Sequence, residues 1–198
     1  LKLATYIPSI TVGQEYCYRT PFVSKEDIVP VDKEGSMDLE KLESILLTKN
    51  YTVEVLITYM NSVQPDLNKL QFLKKRYGFS LIEDACQAIG RPLIGDLSCF
   101  SFYPAKILGG MGKGGAIVSD NEEFINYIKK LRDDKFNNLW LDEVKAAFLN
   151  VKLKYLPEEI KDRQKVADLY NQELSKIPEM RILSERCLQN YIIITEKA

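Results

Sequence analysis

The sequence predicts an α/β protein with a mostly parallel sheet. Three observations carry that reading. Short β-branched and apolar runs alternate with amphipathic helical stretches, those stretches carry recognisable start and stop residues, and an acid stands at the carboxyl end of one apolar run. Asp38 is placed to cap LEKLESILL, whose leucines recur at helical spacing. TVEVLITYM is a β-branched and apolar run of strand length. Asp66 starts LNKLQFLKKRYG, and Gly78 falls just past its end, where glycine is favoured. FSLIEDA, CFSFY and GAIVSD read as three short strands. NEEFINYIKKLRD is an amphipathic helix with Asn121 as its cap and acids in its first turn. Two longer helical patterns follow, at about 141–156 and from Pro157 to about Ser175, and YIIIT closes the chain as a strand. The expected boundary lies at Lys176–Glu179, dividing a large domain (1–176) from the start of a small one (177–198).

Composition sets the outer limits. At 198 residues, 45% hydrophobic and 28% charged, the chain can bury a real core. A net charge of −1 points away from a nucleic-acid surface. The pairs Lys74-Lys75 and Lys129-Lys130 fall in helical patterns and read as solvated faces. No apolar run approaches the ~20 residues of a membrane helix. Four scattered cysteines without a CxxC pair argue against a disulfide framework or zinc site and for a reducing, cytoplasmic setting. The sequence has no histidine, which removes every mechanism needing an imidazole from this chain.

The chemistry concentrates between Leu81 and Asp120. Ligands of parallel α/β sheets bind at the carboxyl ends of strands, and Asp84 follows Leu81-Ile82 there. An isolated Asp in that place reads first as a helix cap, but Gln87 adds a second polar group on the same side of the turn. Cys86 between them reads as a small filler. Ser101 alternates with Phe100 and Phe102, so its hydroxyl faces away from those rings, open to a phosphate or to neighbouring backbone. Lys106 follows Pro104-Ala105 among Phe100, Phe102, Tyr103 and Leu108, an apolar setting that favours the neutral, nucleophilic amine. The cluster Gly109 to Gly115 fails the nucleotide P-loop pattern, because Ile107 and Gly114 stand where glycine and Ser/Thr are required. A carboxylate for a pyridine nitrogen, donors for a phosphate and an amine for covalent attachment are what pyridoxal phosphate (PLP) requires.

EDACQAIG, GDLSCFSFYPAK and GGAIVSD, in that order, resemble the signature blocks of the DegT/DnrJ/StrS family of PLP-dependent sugar aminotransferases. TYIPSIT, RYGFSLIED and LDEVKAAFLNVKLKYL are more weakly similar to other family segments. The resemblance implies the three-layer sandwich of the fold-type-I large domain. It implies that Asp84 pairs with the pyridine nitrogen, Gln87 reaches the phenolic oxygen, Ser101 contacts the phosphate, and Lys106 forms the Schiff base and carries the proton. Asn138 matches an asparagine that reaches the partner subunit's phosphate in a homodimer. The implied reaction moves an amino group, usually from glutamate, to a nucleotide-linked keto sugar. Sugar dehydration is the alternative on this scaffold, and retention of Lys106 favours transamination; a non-catalytic partner subunit is a further one.

The chain departs from the family pattern at several points. Val12 falls where an aromatic ring would stack, and Asn138-Leu139-Trp140 lacks the arginine of Asn-x-Arg. The histidine common after TVEVLITYM is absent, and the stretch from Leu131 to Leu141 is short. An N-terminal phosphate loop and most of the small domain are expected to lie outside the given sequence.

Overall fold

The computed structural model describes residues 10–14, 27–49, 53–135, 139–183 and 188–195. Asn138 lies outside the described residues. Strand β1 (Ile10–Gln14) and the short β2 (Ile28–Val29) precede helix α1 (Leu39–Leu46). β3 (Val53–Thr58), α2 (Leu67–Tyr77), β4 (Ser80–Asp84) and β5 (Leu97–Ser101) follow. β6 (Gly115–Val118), α3 (Glu122–Lys135), the long α4 (Glu143–Leu174), β7 (Met180–Ile182) and β8 (Ile193–Thr195) complete the order.

Six strands form one sheet in the order β2-β1-β3-β4-β5-β6, parallel except for β6. Alternation fixes its two faces. Val53, Val55, Ile57 and Leu81 point inward to a core shared with Leu39, Leu42, Leu46, Leu70 and Leu73 of α1 and α2. The residues between them are only half-buried, so the opposite face is the more open one. A one-residue slip would exchange the two sets, which pins the register.

The caps expected from sequence are in place. The side chains of Asp38 and Asp66 accept backbone N–H groups of the first turns of α1 and α2, and Asp142, which sequence reading did not single out, does the same for α4. Gly78 ends α2 at φ 66°, a left-handed conformation that glycine adopts without a Cβ clash. Asn121 Oδ1 accepts the Phe124 N–H at 3.2 Å.

Three expectations are corrected. The two helical patterns around Pro157 form one continuous helix, α4. Proline forfeits one backbone bond to the preceding turn but has a φ compatible with a helix. The hydrogen-bonded turns on either side and the anchoring of buried Leu149 and Ala167 carry α4 across it. Lys74 is not part of a solvated face: its Nζ donates to Asp96 Oδ1 at 2.8 Å. Asp96 Oδ2 in turn accepts the Leu81 N–H at 2.7 Å. The segment read as CFSFY begins earlier and stops at Ser101, where Phe102 turns to bond Gly114 and Gly110. β7 and β8 pair antiparallel as a separate small sheet. Among the described residues no helix is long and apolar enough to cross a membrane.

Candidate active site

The candidate site lies at the carboxyl ends of β4 and β5, on the more open face. Register pairs Thr58 with Asp84 and Asp84 with Cys99, so these three stand side by side. Phe100 packs against the core, which directs Cys99 and Ser101 to the face that carries Asp84. The chain then leaves the sheet at Phe102 and returns to β6 through the glycine cluster, with Lys106 in between.

Asp84 Oδ1 accepts the Cys86 N–H at 3.1 Å, closing a local turn. Burial, and next the Asp84 carboxylate, push the Cys86 thiol up to about 12; the Lys106 ammonium acts on the same thiol in the opposite sense. Cys99 is also raised, first by burial and then by Asp84. Lys106 stands on the loop that leaves β5, and β5 pairs with the strand that carries Asp84. Protonated at neutral pH, the two thiols are small fillers rather than nucleophiles.

Gln87 Oε1 accepts the Asn61 N–H at 2.8 Å, and its own carbonyl accepts the Ser62 hydroxyl. Asn61 and Ser62 are consecutive left-handed residues, at φ 54° and 66°. Asparagine tolerates that conformation, but serine is strained there. Their bonds to Gln87 hold the turn against the strain. Ser101 Oγ accepts the Tyr103 N–H at 3.3 Å. Lys106 is half-buried, and its amine makes no hydrogen bond or ion pair among the described residues. Its enclosure differs from the sequence expectation: Phe100 is committed to the core on the other face, and Tyr103 is 53% exposed. Ile107, Leu108, Gly109 and Gly110 are the buried neighbours.

The glycines around the lysine are required by close approach. A Cβ on Gly109 would lie 2.3 Å from the Pro104 carbonyl oxygen, and one on Gly115 2.6 Å from that of Phe100. Lys152 of α4 donates to the Gly109 carbonyl at 2.8 Å, fixing the loop from outside.

Beneath Asp84 lies a polar knot that sequence reading missed. Glu83 is fully buried, and its carboxylate accepts the Tyr59 hydroxyl at 2.7 Å, the Ile94 N–H at 3.0 Å and the Ser98 hydroxyl at 2.5 Å. Burial, and next Glu83, raise the Tyr59 phenol well above its ordinary range. A Cβ on Gly95 would come within 2.7 Å of Glu83 Oε2. The Gly95-Asp96 pair therefore serves the scaffold: Gly95 admits the buried carboxylate, and Asp96 ties α2 to β4. The signal was an acid inside an apolar strand run, with its partners known only after folding.

Gln189 and Asn190 were missed as well. They sit on a segment whose Leu188 is buried, and their side chains bond the loops of Lys106 and Asn61. Two clefts of about 340 and 570 Å³ run along α4 near this segment, neither of them lined by Asp84 or Lys106.

An open, mostly parallel sheet with polar groups at its carboxyl edge is the large-domain fold of fold-type-I PLP-dependent transferases. Residues 24–195 match the DegT/DnrJ/EryC1/StrS aminotransferase family, and the chain belongs to it. It is 33% identical over 179 residues to a UDP-4-amino-4,6-dideoxy-N-acetyl-β-L-altrosamine transaminase of Campylobacter jejuni, covering 78% of this chain and 47% of that protein. It is 32% identical over 170 residues to the erythromycin biosynthesis sensory transduction protein EryC1 of Saccharopolyspora erythraea, covering 76% and 46%. Among solved structures, S. venezuelae DesV in complex with a ketimine intermediate superposes with a TM-score of 0.76 at 25% identity, covering 86% of this chain and 52% of that one. The chain spans about half the length of the curated relatives it matches. Family membership implies PLP as the cofactor.

The donor set present fits that cofactor. Among the described residues Gln87 Nε2, the Ser101 O–H and the Lys106 amine are each uncommitted, while Asp84 and Ser101 each accept a local backbone N–H and Gln87 accepts that of Asn61 from a separate loop.

Proposed function

We propose that this chain holds the cofactor-binding half of a PLP-dependent aminotransferase that aminates a nucleotide-linked keto sugar, with glutamate as donor. The observation that carries the reading is the uncommitted, half-buried amine of Lys106 on the loop that leaves β5, the strand whose Cys99 pairs with Asp84. When bound, PLP supplies an electron-accepting ring that stabilises negative charge on a substrate carbon. Asp84 would hold the proton on the pyridine nitrogen, and the half-buried setting strengthens that charge pairing. Gln87 Nε2 would donate to the phenolic oxygen and Ser101 to the phosphate. Lys106 Nζ would attach the cofactor and then move a proton between carbons of substrate and cofactor.

Asn138 would reach the phosphate of a second copy in a homodimer. Residues 1–176 would form the large domain and 177–198 the start of the small one; the end of α4 at Leu174 and the separate β7-β8 sheet support that division. The percent identities to sugar transaminases support the substrate class.

Incubation with PLP, reduction with borohydride and peptide mass analysis test the assignment. The cofactor mass should appear on the Lys106 peptide, and Lys106→Ala should carry none. Label on another lysine, or none at all, would overturn it. Glutamate should bleach the visible band of the unreduced protein; an unchanged band sinks the transamination step.

A further inference from the structure

We infer that Gln189 is a positioning residue for Lys106, acting through the peptide groups on both sides of it. The inference rests on the assignment of Lys106 as the cofactor amine. Gln189 Nε2 donates to the Ala105 carbonyl at 2.8 Å, and its Oε1 accepts the Ile107 N–H at 3.3 Å. One side-chain amide therefore brackets the lysine as a neighbouring β-strand would, holding the two peptide planes that aim its Cα–Cβ bond. Such a bracket is needed because the loop belongs to no sheet: β5 has ended at Ser101 and β6 begins at Gly115.

The same residue reaches the second site loop. Its backbone N–H donates to Ser62 Oγ at 3.3 Å, and Ser62 donates to the Gln87 carbonyl. Asn190 Nδ2 adds a bond to Asn61 Oδ1 at 2.9 Å, and the Asn61 N–H holds Gln87 Oε1. Gln87 and Lys106 stand on separate loops, and Gln189 is the residue that bonds toward both.

The bracket has a rigid anchor. The Leu188 side chain is buried and its carbonyl accepts Arg163 Nη1 at 3.3 Å. The Tyr191 hydroxyl donates to Asn171 Oδ1 at 2.6 Å, and its ring meets that of Tyr170 edge-on at 5.1 Å. Arg163, Tyr170 and Asn171 all belong to α4, whose Lys152 also fixes Gly109. The helix thus grips the lysine loop directly at one end and through Gln189 at the other.

The test uses the full chain with PLP, comparing wild type, Gln189→Ala, Gln189→Glu and Tyr191→Phe. Gln189→Ala should raise hydrogen exchange at the Ile107 amide about fivefold, the worth of one net hydrogen bond. Gln189→Glu keeps the acceptor for that amide and loses the donor to Ala105, so it should leave exchange there near wild type. Misplacing the amine should slow formation of the borohydride-fixable adduct by roughly ten- to a hundredfold in Gln189→Ala. Tyr191→Phe, which loosens the anchor alone, should keep the rate within about twofold of wild type. Wild-type rate and exchange in Gln189→Ala would overturn the inference, as would an equal loss in Tyr191→Phe. Failure of wild type itself to form the adduct at Lys106 would instead overturn the assignment of the site, and the exchange comparison would still report on the bracket.

Discussion

Removing one hydroxyl from the knot beneath the site, by Tyr59→Phe, should destabilise the fold far more than the loss of one oxygen suggests. Glu83 Oε1 takes two donors, the Tyr59 hydroxyl at 2.7 Å and the Ile94 N–H at 3.0 Å, and both Tyr59 and Glu83 are 0% exposed. No solvent stands ready to replace the lost donor, so the carboxylate keeps its burial penalty with one bond fewer. A hydrogen bond to a charged group is worth about 1.5–3 kcal/mol. A loss near 2 kcal/mol should lower the urea midpoint by roughly 1 M, taking a slope of about 2 kcal/mol/M. Tyr77→Phe is the control, because its hydroxyl reaches Glu43 at 2.9 Å near the surface, where water can substitute. Its midpoint should move much less. The reasoning also requires coupling: Tyr59→Phe and Ser98→Ala act on one carboxylate, and their combined cost should differ from the sum of the single costs. A Tyr59→Phe midpoint within about 0.2 M of wild type, or strict additivity with Ser98→Ala, would refute the buried-charge account.

Two further predictions concern the site itself. Gly109→Ala would drive a methyl to within 2.3 Å of the Pro104 carbonyl and 2.9 Å of the Lys106 carbonyl. The loop must shift, at a cost of roughly 1–3 kcal/mol, and PLP uptake at Lys106 should fall; unchanged thermal stability and uptake would contradict the packing. Cys86 releases its proton near 9.0 when unfolded and about 12 when folded, so between those values the folded chain holds a proton that the unfolded chain has lost. Its contribution to stability is complete below about pH 9 and drains away as pH rises toward 12. Iodoacetamide should label Cys86 slowly at pH 8 and readily in urea, and equal rates in the two conditions would rule out the raised thiol.

Local chemistry made much of this chain legible. Asp38, Asp66, Gly78 and Asn121 mark helix ends because capping is decided within four residues, and the β-branched and apolar runs marked β3 and β4 as strands without saying which residues face the core. Asp84, Gln87, Ser101 and Lys106 could be singled out because they sit in one motif-dense stretch where strand ends and glycine turns are visible in sequence. Pro157 misled, since the residue-level rule against helical proline does not weigh the packing of the thirty-two-residue helix around it.

The sequence alone determined the alternating elements, most of their caps and the family, and it singled out the residues proposed for a phosphate, a ring nitrogen and an aldehyde. Only the tertiary structure decided that Glu83 would be buried among Tyr59, Ile94 and Ser98, and that Lys74 would leave solvent for Asp96. It alone brought Gln189 across 82 positions of chain to the lysine loop. Caps and alternation arise from neighbours fixed by helix and strand geometry, whereas these contacts exist only after the strands have taken their order in the sheet and α4 has laid the last described segment against it.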